Sequence, residues 1–185
     1  MTVTHQPATY EDLLKVPEHL VAEIVEGELF TSPRPASPHA RAMGGLFGQL
    51  SRFFDYGDGG PGGWWIVLEP ELHLGRDILV PDIAGWRRQR MPVFPRVPFF
   101  DLAPDWVCEV LSTSNARHDR FRKMPRYAFH GIPYAWIVDT VAKGVEIYER
   151  DGMAWRQVVM HAGTAPIRAV PFDACEINLA PLWID

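Results

Sequence analysis

The sequence predicts a single mixed α/β domain, and three observations carry that prediction. Apolar residues recur at helical spacing between positions 37 and 56. Short apolar runs bounded by turn residues recur from position 64 onward. The order is helix, hairpin, helix, strands, helix, strands, which is not a repeating βαβ array and points to a mixed sheet. The 185 residues, 47% apolar and 22% charged, suit one soluble domain with a core of its own.

Thr9-Tyr10-Glu11-Asp12 reads as a capping signal, and Leu13, Leu14 and Val16 give an apolar face, so a short helix is expected over 9–16. Residues 22–30 read as a hairpin turning at Glu26-Gly27, followed by a proline-rich loop, Ser32-Pro33-Arg34-Pro35. Ser37-Pro38 starts a helix. Met43, Leu46, Phe47, Leu50, Phe53 and Phe54 continue it to about Tyr56, where the glycine run 57–63 stops it. That run ends in no Gly-Lys-Ser/Thr, so it is not a phosphate loop.

Three extended runs follow, Trp64–Leu68, Glu71–Leu74 and Ile78–Trp86, then an arginine- and proline-rich loop over 87–104. Asp105–Leu111 reads as a strongly apolar strand. Ser112–Asn115 caps a helix reaching about His130, with Pro125 kinking or dividing it. Tyr134–Asp139, Val145–Arg150 and Trp155–Met160 read as strands, and the tail 169–182 as one or two short ones.

Composition excludes several classes. The net charge of −5 argues against nonspecific coating of nucleic acid, so any DNA contact must come from a local patch. Arg87, Arg88, Arg90 and Arg96 form one basic stretch, readable as phosphate contacts or as a solvated loop. No apolar run approaches a membrane span and no signal peptide is visible, which gives a cytoplasmic expectation without a membrane partner. Cys108 and Cys175 form no C-x-x-C pair and fall in apolar runs, so they read as buried thiols rather than zinc ligands. No G-x-S-x-G elbow is present, and most tryptophans lie in strand-like runs rather than in a sugar cleft.

One constellation carries chemistry. Val80-Pro81-Asp82 ends or bends a strand. Val107-Cys108-Glu109-Val110-Leu111 sets a carboxylate inside an apolar strand, where an ionised group costs several kcal/mol unless partnered or metal-bound. Alternation puts Val107, Glu109 and Leu111 on one face, with Trp106, Cys108 and Val110 on the other. Two carboxylates on neighbouring strands can hold Mg²⁺, which polarises a phosphate and lowers the pKa of bound water, and a nearby lysine can orient that water. The same residues also read as structural salt bridges. Only three of the eighteen basic residues are lysines: Lys15, Lys123 and Lys143.

The ordered series resembles the Uma-two (DUF820-type) family of restriction-endonuclease-like proteins, a branch of the PD-(D/E)xK nuclease superfamily. It rests on Thr9–Leu13, Val16-Pro17-Glu18, Ala22–Leu29, Ser37-Pro38-His39, Val80–Ala84, Ala103–Val107, Glu109–Ser114, Asp119-Arg120 with Lys123 and Tyr127, Gly131–Asp139 and Val145–Tyr148. The resemblance implies a nuclease-like core over about 8–150, in which a central mixed sheet is flanked by the 37–56 and 115–130 helices. Residues 151–185 would be a β extension of the same domain.

It also implies that Asp82 and Glu109 are metal carboxylates for Mg²⁺ or Mn²⁺. The lysine position of (D/E)xK falls on Leu111, and the similar proteins place their lysine on the next helix, where this chain has Lys123. Glu23 and His39 match auxiliary positions. Ser112 and Ser114 match the signature after the glutamate and also read as helix caps. The implied activity is hydrolysis of DNA phosphodiester bonds, with a homodimer suiting cleavage of both strands. The alternative is an inactive nuclease-fold protein acting as a nucleic-acid-binding or homodimeric assembly module. The acidic charge and the lack of a DNA-reading motif favour it.

Overall fold

A computed structural model describes residues 6–33 and 37–184. The elements run α1 (Tyr10–Leu13), β1 (Leu20–Val25), β2 (Glu28–Pro33), α2 (Ser37–Leu50, prolonged by a π turn to Asp55), β3 (Trp64–Leu68), β4 (Leu72–Leu74), β5 (Asp77–Leu79), β6 (Ile83–Arg87), β7 (Trp106–Leu111), α3 (Ala116–His118), a π turn (Asp119–Lys123), α4 (Met124–Phe129), β8 (Tyr134–Asp139), β9 (Gly144–Asp151) and β10 (Ala154–Ala162). They form a four-stranded sheet, β2-β1-β5-β4, and a six-stranded sheet, β10-β9-β8-β7-β6-β3. Only β7 and β8 pair in parallel in the larger sheet. The expected mixed α/β domain is therefore present.

The details follow from local chemistry. Thr9 and Asp12 form the expected capping box, but α1 closes after one turn, shorter than 9–16. The β1–β2 turn needs positive φ at both central residues, and Glu26 (φ 55°) and Gly27 (φ 81°) adopt it. Asp77 secures the strained Glu26 by accepting its backbone N–H at 2.7 Å. The run Ile78–Trp86 is not one strand. Val80-Pro81-Asp82 breaks it, sending β5 to the small sheet and β6 to the large one. The proline-rich loop after β2 lies partly outside the described residues.

The alternation expected for β7 holds. Trp106, Cys108 and Val110 join the core beneath α2, and Val107 and Leu111 join a second core with Met124 and Tyr127. Burying six successive residues suits a central strand covered on both faces. Trp64, Trp106 and Trp136 surround Phe172 at 4.8, 4.9 and 5.7 Å between ring centroids, so these tryptophans are core.

The tail corrects two expectations. It forms no strand, only an isolated bridge between Ile167 and Ile177 and a 3₁₀ turn at Ala180–Leu182. It works by packing Phe172, Ile177, Leu179 and Leu182 into the main core. The β residues beyond 151 are those of β10, an edge strand of the large sheet. No helix among the described residues is long and apolar enough to cross a membrane.

Candidate active site

The break at Pro81 sets Asp82 immediately before β6, and β7 ends beside it because β6 and β7 are antiparallel. The Val110 N–H donates to Asp82 Oδ2 at 2.7 Å, which locks the aspartate next to the strand that carries Glu109. The first turn of α2 supplies His39, whose Nε2 lies 3.0 Å from Asp82 Oδ1.

Lys123 crosses from the helix to meet the strand glutamate, fourteen positions away in sequence. Its Nζ lies 2.9 Å from Glu109 Oε1 and 3.1 Å from Glu23 Oε1, and it donates to the Val80 carbonyl at 2.9 Å. Only 3% of Lys123 is exposed. Tyr127, one turn further along, donates its phenol proton to the same Glu109 Oε1 at 2.5 Å. Glu23 on β1 accepts from the Val80 N–H at 2.7 Å, and His118 Nε2 stands 3.5 Å from its other oxygen. Asp119 Oδ1 is 3.9 Å from Lys123 Nζ.

Electrostatics follow from three carboxylates, Glu109, Glu23 and Asp119, around one buried ammonium, with Asp82 acting on Glu109 and Asp119. Burial pushes Glu109 well above the usual carboxylate range, and Asp119, Asp82 and Glu23 add to the push against the pull of Lys123. Burial also lifts Asp119 to about 6, with Asp82 and Glu23 contributing. For Glu23, burial is outweighed by Lys123, His118 and the Val80 N–H, and its carboxyl falls. Burial opposes charge on Lys123, but Glu109 and Glu23 overcome it and hold the ammonium protonated.

These groups line a cleft of about 180 Å³ between the β1–β2 hairpin, the start of α2 and the α3 region. Among the described residues no group of three or more His, Cys, Asp and Glu side chains is arranged to hold a metal ion. Lys123 is bonded to two of the acids instead. The donor set is nonetheless that of a hard cation: carboxylate oxygens in excess, with the Cys108 thiol buried on the opposite face of β7.

A family model described as "Putative restriction endonuclease" matches residues 7–180. The chain belongs to this family, Uma2. The Uma2 chain also resembles a solved structure from Anabaena variabilis ATCC 29413, described as a putative nuclease belonging to DUF820. The two share 22% identity, with a TM-score of 0.76 over 95% of this chain and 97% of that one. That likeness shows the restriction-endonuclease-like fold. No curated protein matches the chain.

Of the residues singled out in the sequence, Asp82, Glu109, Lys123, Glu23 and His39 converge, and all five line the cleft. Ser112 and Ser114 bond to each other at 3.0 Å, and Ser112 Oγ accepts the Asn115 N–H at 3.2 Å, as helix caps do. Ser114 lines the cleft and Ser112 lines its neighbour. Asp119 and Tyr127 enter the sequence reading only within the ordered series that carries the resemblance, with no site role given to either. The i, i+4 spacing of Asp119, Lys123 and Tyr127 was the signal that could have placed all three on one helix face.

The arginine loop lies elsewhere. Arg87 ends β6 five residues beyond Asp82, about 17 Å away along an extended strand. Arg88 sits 3.7 Å over Trp65 and pairs with Asp55, Arg87 lies over Trp64, and Arg90 pairs with Asp105. These three arginines hold the far end of the sheet rather than line the cleft.

Proposed function

We propose that this Uma2 chain is a Mg²⁺- or Mn²⁺-dependent endonuclease that hydrolyses DNA phosphodiester bonds. Asp82 and Glu109 would hold the cation, and Lys123 would orient the attacking water or offset charge on the phosphorane-like transition state. The observation that carries this reading is the meeting of Lys123 with Glu109 beside Asp82, inside a cleft with surplus negative charge. The names borne by the family and by the Anabaena neighbour support it.

A bound cation would polarise the phosphate and lower the pKa of its water. The chain's own residues do the rest. His39 and the Val110 N–H fix both oxygens of Asp82. Tyr127 and Lys123 fix Oε1 of Glu109. Glu23 and the Val80 carbonyl hold the ammonium in the cleft, so that it is protonated and directed before substrate arrives.

The test is calorimetric titration of Mg²⁺ and Mn²⁺ into wild type and Asp82→Ala, with plasmid nicking measured on the same samples. Binding and nicking by wild type, with both lost in Asp82→Ala, is the expected result. No binding at millimolar metal together with no nicking overturns the catalytic reading. It would leave a nuclease fold retained for binding or assembly.

A further inference from the structure

A second cleft has no part in the chemistry proposed above. Its volume is about 250 Å³, and its apolar walls come from Pro38, Val141, Leu182, Trp183 and Ile184. Among the described residues no aspartate, glutamate, lysine or arginine lines it. His39 lines both this cleft and the acidic one.

The polar groups enclosed here are satisfied, with one exception. Thr140 Oγ1 donates to the Leu111 carbonyl at 3.1 Å, and Trp183 Nε1 to the Gly163 carbonyl at 2.8 Å. Ser112 Oγ is bonded to Ser114 and accepts the Asn115 N–H. Thr113 is exposed to solvent. The exception is His39, which is only 4% exposed. Its Nε2 is held by Asp82 Oδ1 at 3.0 Å, and its Nδ1 is buried with no hydrogen-bond partner among the described residues. A buried polar atom left unpaired works against the fold, and so it points to a partner from outside the chain.

The chemistry of that partner follows from the ring and the walls. Beside the Asp82 carboxylate, Nε2 presents its proton and Nδ1 keeps a lone pair that needs a donor. A doubly protonated ring would present an N–H there and need an acceptor. A hydroxyl serves either state. The space exceeds what one water fills, since an apolar cavity of about 150 Å³ already takes benzene. Apolar walls with a single convergent polar atom suit a molecule with one polar group on an apolar body.

We infer that this cleft binds a small neutral alcohol or phenol, whose hydroxyl bonds to His39 Nδ1 while its apolar body packs against Val141, Trp183 and Ile184. The inference does not rest on the nuclease reading, because its test needs neither metal nor nucleic acid.

The experiment titrates p-cresol, toluene and p-toluate into metal-free protein at pH 8. The methyl signals of Val141, Leu182 and Ile184 are followed by heteronuclear NMR. The three probes share one ring and methyl group and differ only in carrying a hydroxyl, nothing or a carboxylate. The expected result is that p-cresol shifts these methyls with a Kd at least about fivefold below that of toluene, the size of one net hydrogen bond. The p-toluate anion should bind more weakly than p-cresol, because no lysine or arginine among the described residues lines the cleft. Val141 and Ile184 are 75% and 49% exposed, so Val141→Trp and Ile184→Trp fill the cleft from its rim without opening the core. Each should weaken p-cresol binding at least tenfold. In His39→Phe the preference for p-cresol over toluene should vanish.

No shift of these methyls at millimolar p-cresol overturns the inference. So does toluene or p-toluate binding as tightly as p-cresol. Unchanged p-cresol affinity in both tryptophan variants, or a preference that survives in His39→Phe, overturns it as well. Should His39→Phe fail to fold, the tryptophan variants and the three probes decide.

Discussion

Replacing Lys123 by methionine tests whether this ammonium is what makes the acidic cluster tolerable. The side chain is buried and bonds to Glu109, Glu23 and the Val80 carbonyl within 3.1 Å. Methionine keeps much of the volume and removes the charge. Glu23, Asp82, Glu109 and Asp119 then face one another without an ammonium, and breaking a buried pair in this way costs about 3–5 kcal/mol. For a domain of this length each kcal/mol lowers Tm by about 2–4 °C, so Tm should fall by about 6–20 °C at pH 8. The sign of the pH dependence follows from Glu109 and Asp119, whose carboxyls already lie above their ordinary values. Such groups oppose folding when ionised and stop doing so once protonated, so the deficit of the variant should shrink as pH falls toward 5. The assay is differential scanning calorimetry of both proteins at pH 5 and 8 in excess chelator, followed by Mn²⁺ addition. A Tm within about 2 °C of wild type at pH 8 refutes the reasoning. A deficit that grows on acidification refutes it too.

Three other outcomes are expected. Asp119→Asn should raise stability at pH 8 by up to about 3 kcal/mol, because a carboxyl lifted to about 6 works against the fold above that pH. The gain should vanish below about pH 4, and urea melts at the two pH values check it. Tyr127→Phe keeps the ring in the core and frees Glu109 Oε1 of one donor. Outer hydrogen-bond partners of this kind are worth about 10–100-fold in metal affinity, so Mn²⁺ titration should show at least a tenfold weaker Kd. Arg88→Ala removes a cation stacked 3.7 Å over Trp65 and paired with Asp55, and should cost about 1–2 kcal/mol in a thermal melt with plasmid nicking unaltered.

Much of this site was legible in the sequence, for identifiable reasons. Strand alternation alone placed Glu109 on the face opposite Cys108, because a central strand leaves no freedom in which side chain points where. The Pro81 break was readable as an end or bend, and it is what frees Asp82 from the strand. What composition and spacing could not yield is the partition of 78–86 between two sheets, since both halves are equally apolar and pairing partners lie far away in sequence. The tail misled for a similar reason. Ile167, Phe172, Ile177 and Leu179 look like strand residues, yet they serve as irregular packing against α2 and the sheet. Asp119 stayed hidden because a charged residue on a polar helix ordinarily faces water.

The proposed role of Lys123, on the helix rather than on the strand, fits the packing of the chain itself. Position 111, two residues after Glu109 on the same face, holds a leucine that is 3% exposed and packed in the core with Met124 and Tyr127. A lysine there would bury its charge among apolar groups. The helix offers another approach, but Pro125 lies within it and cannot donate to the carbonyl four residues earlier. The π turn at Asp119–Lys123 meets this interruption: the Met124 N–H bonds to the Asp119 carbonyl, five residues back, and an α-helical turn restarts with the proline near its first position. The widened turn leaves Phe121 69% exposed while Asp119 and Lys123 both point inward. One irregularity therefore accommodates the proline and aims the ammonium at Glu109. The position of the lysine depends on helix geometry rather than on strand alternation, which is why a search for a lysine two residues after the acid finds only Leu111.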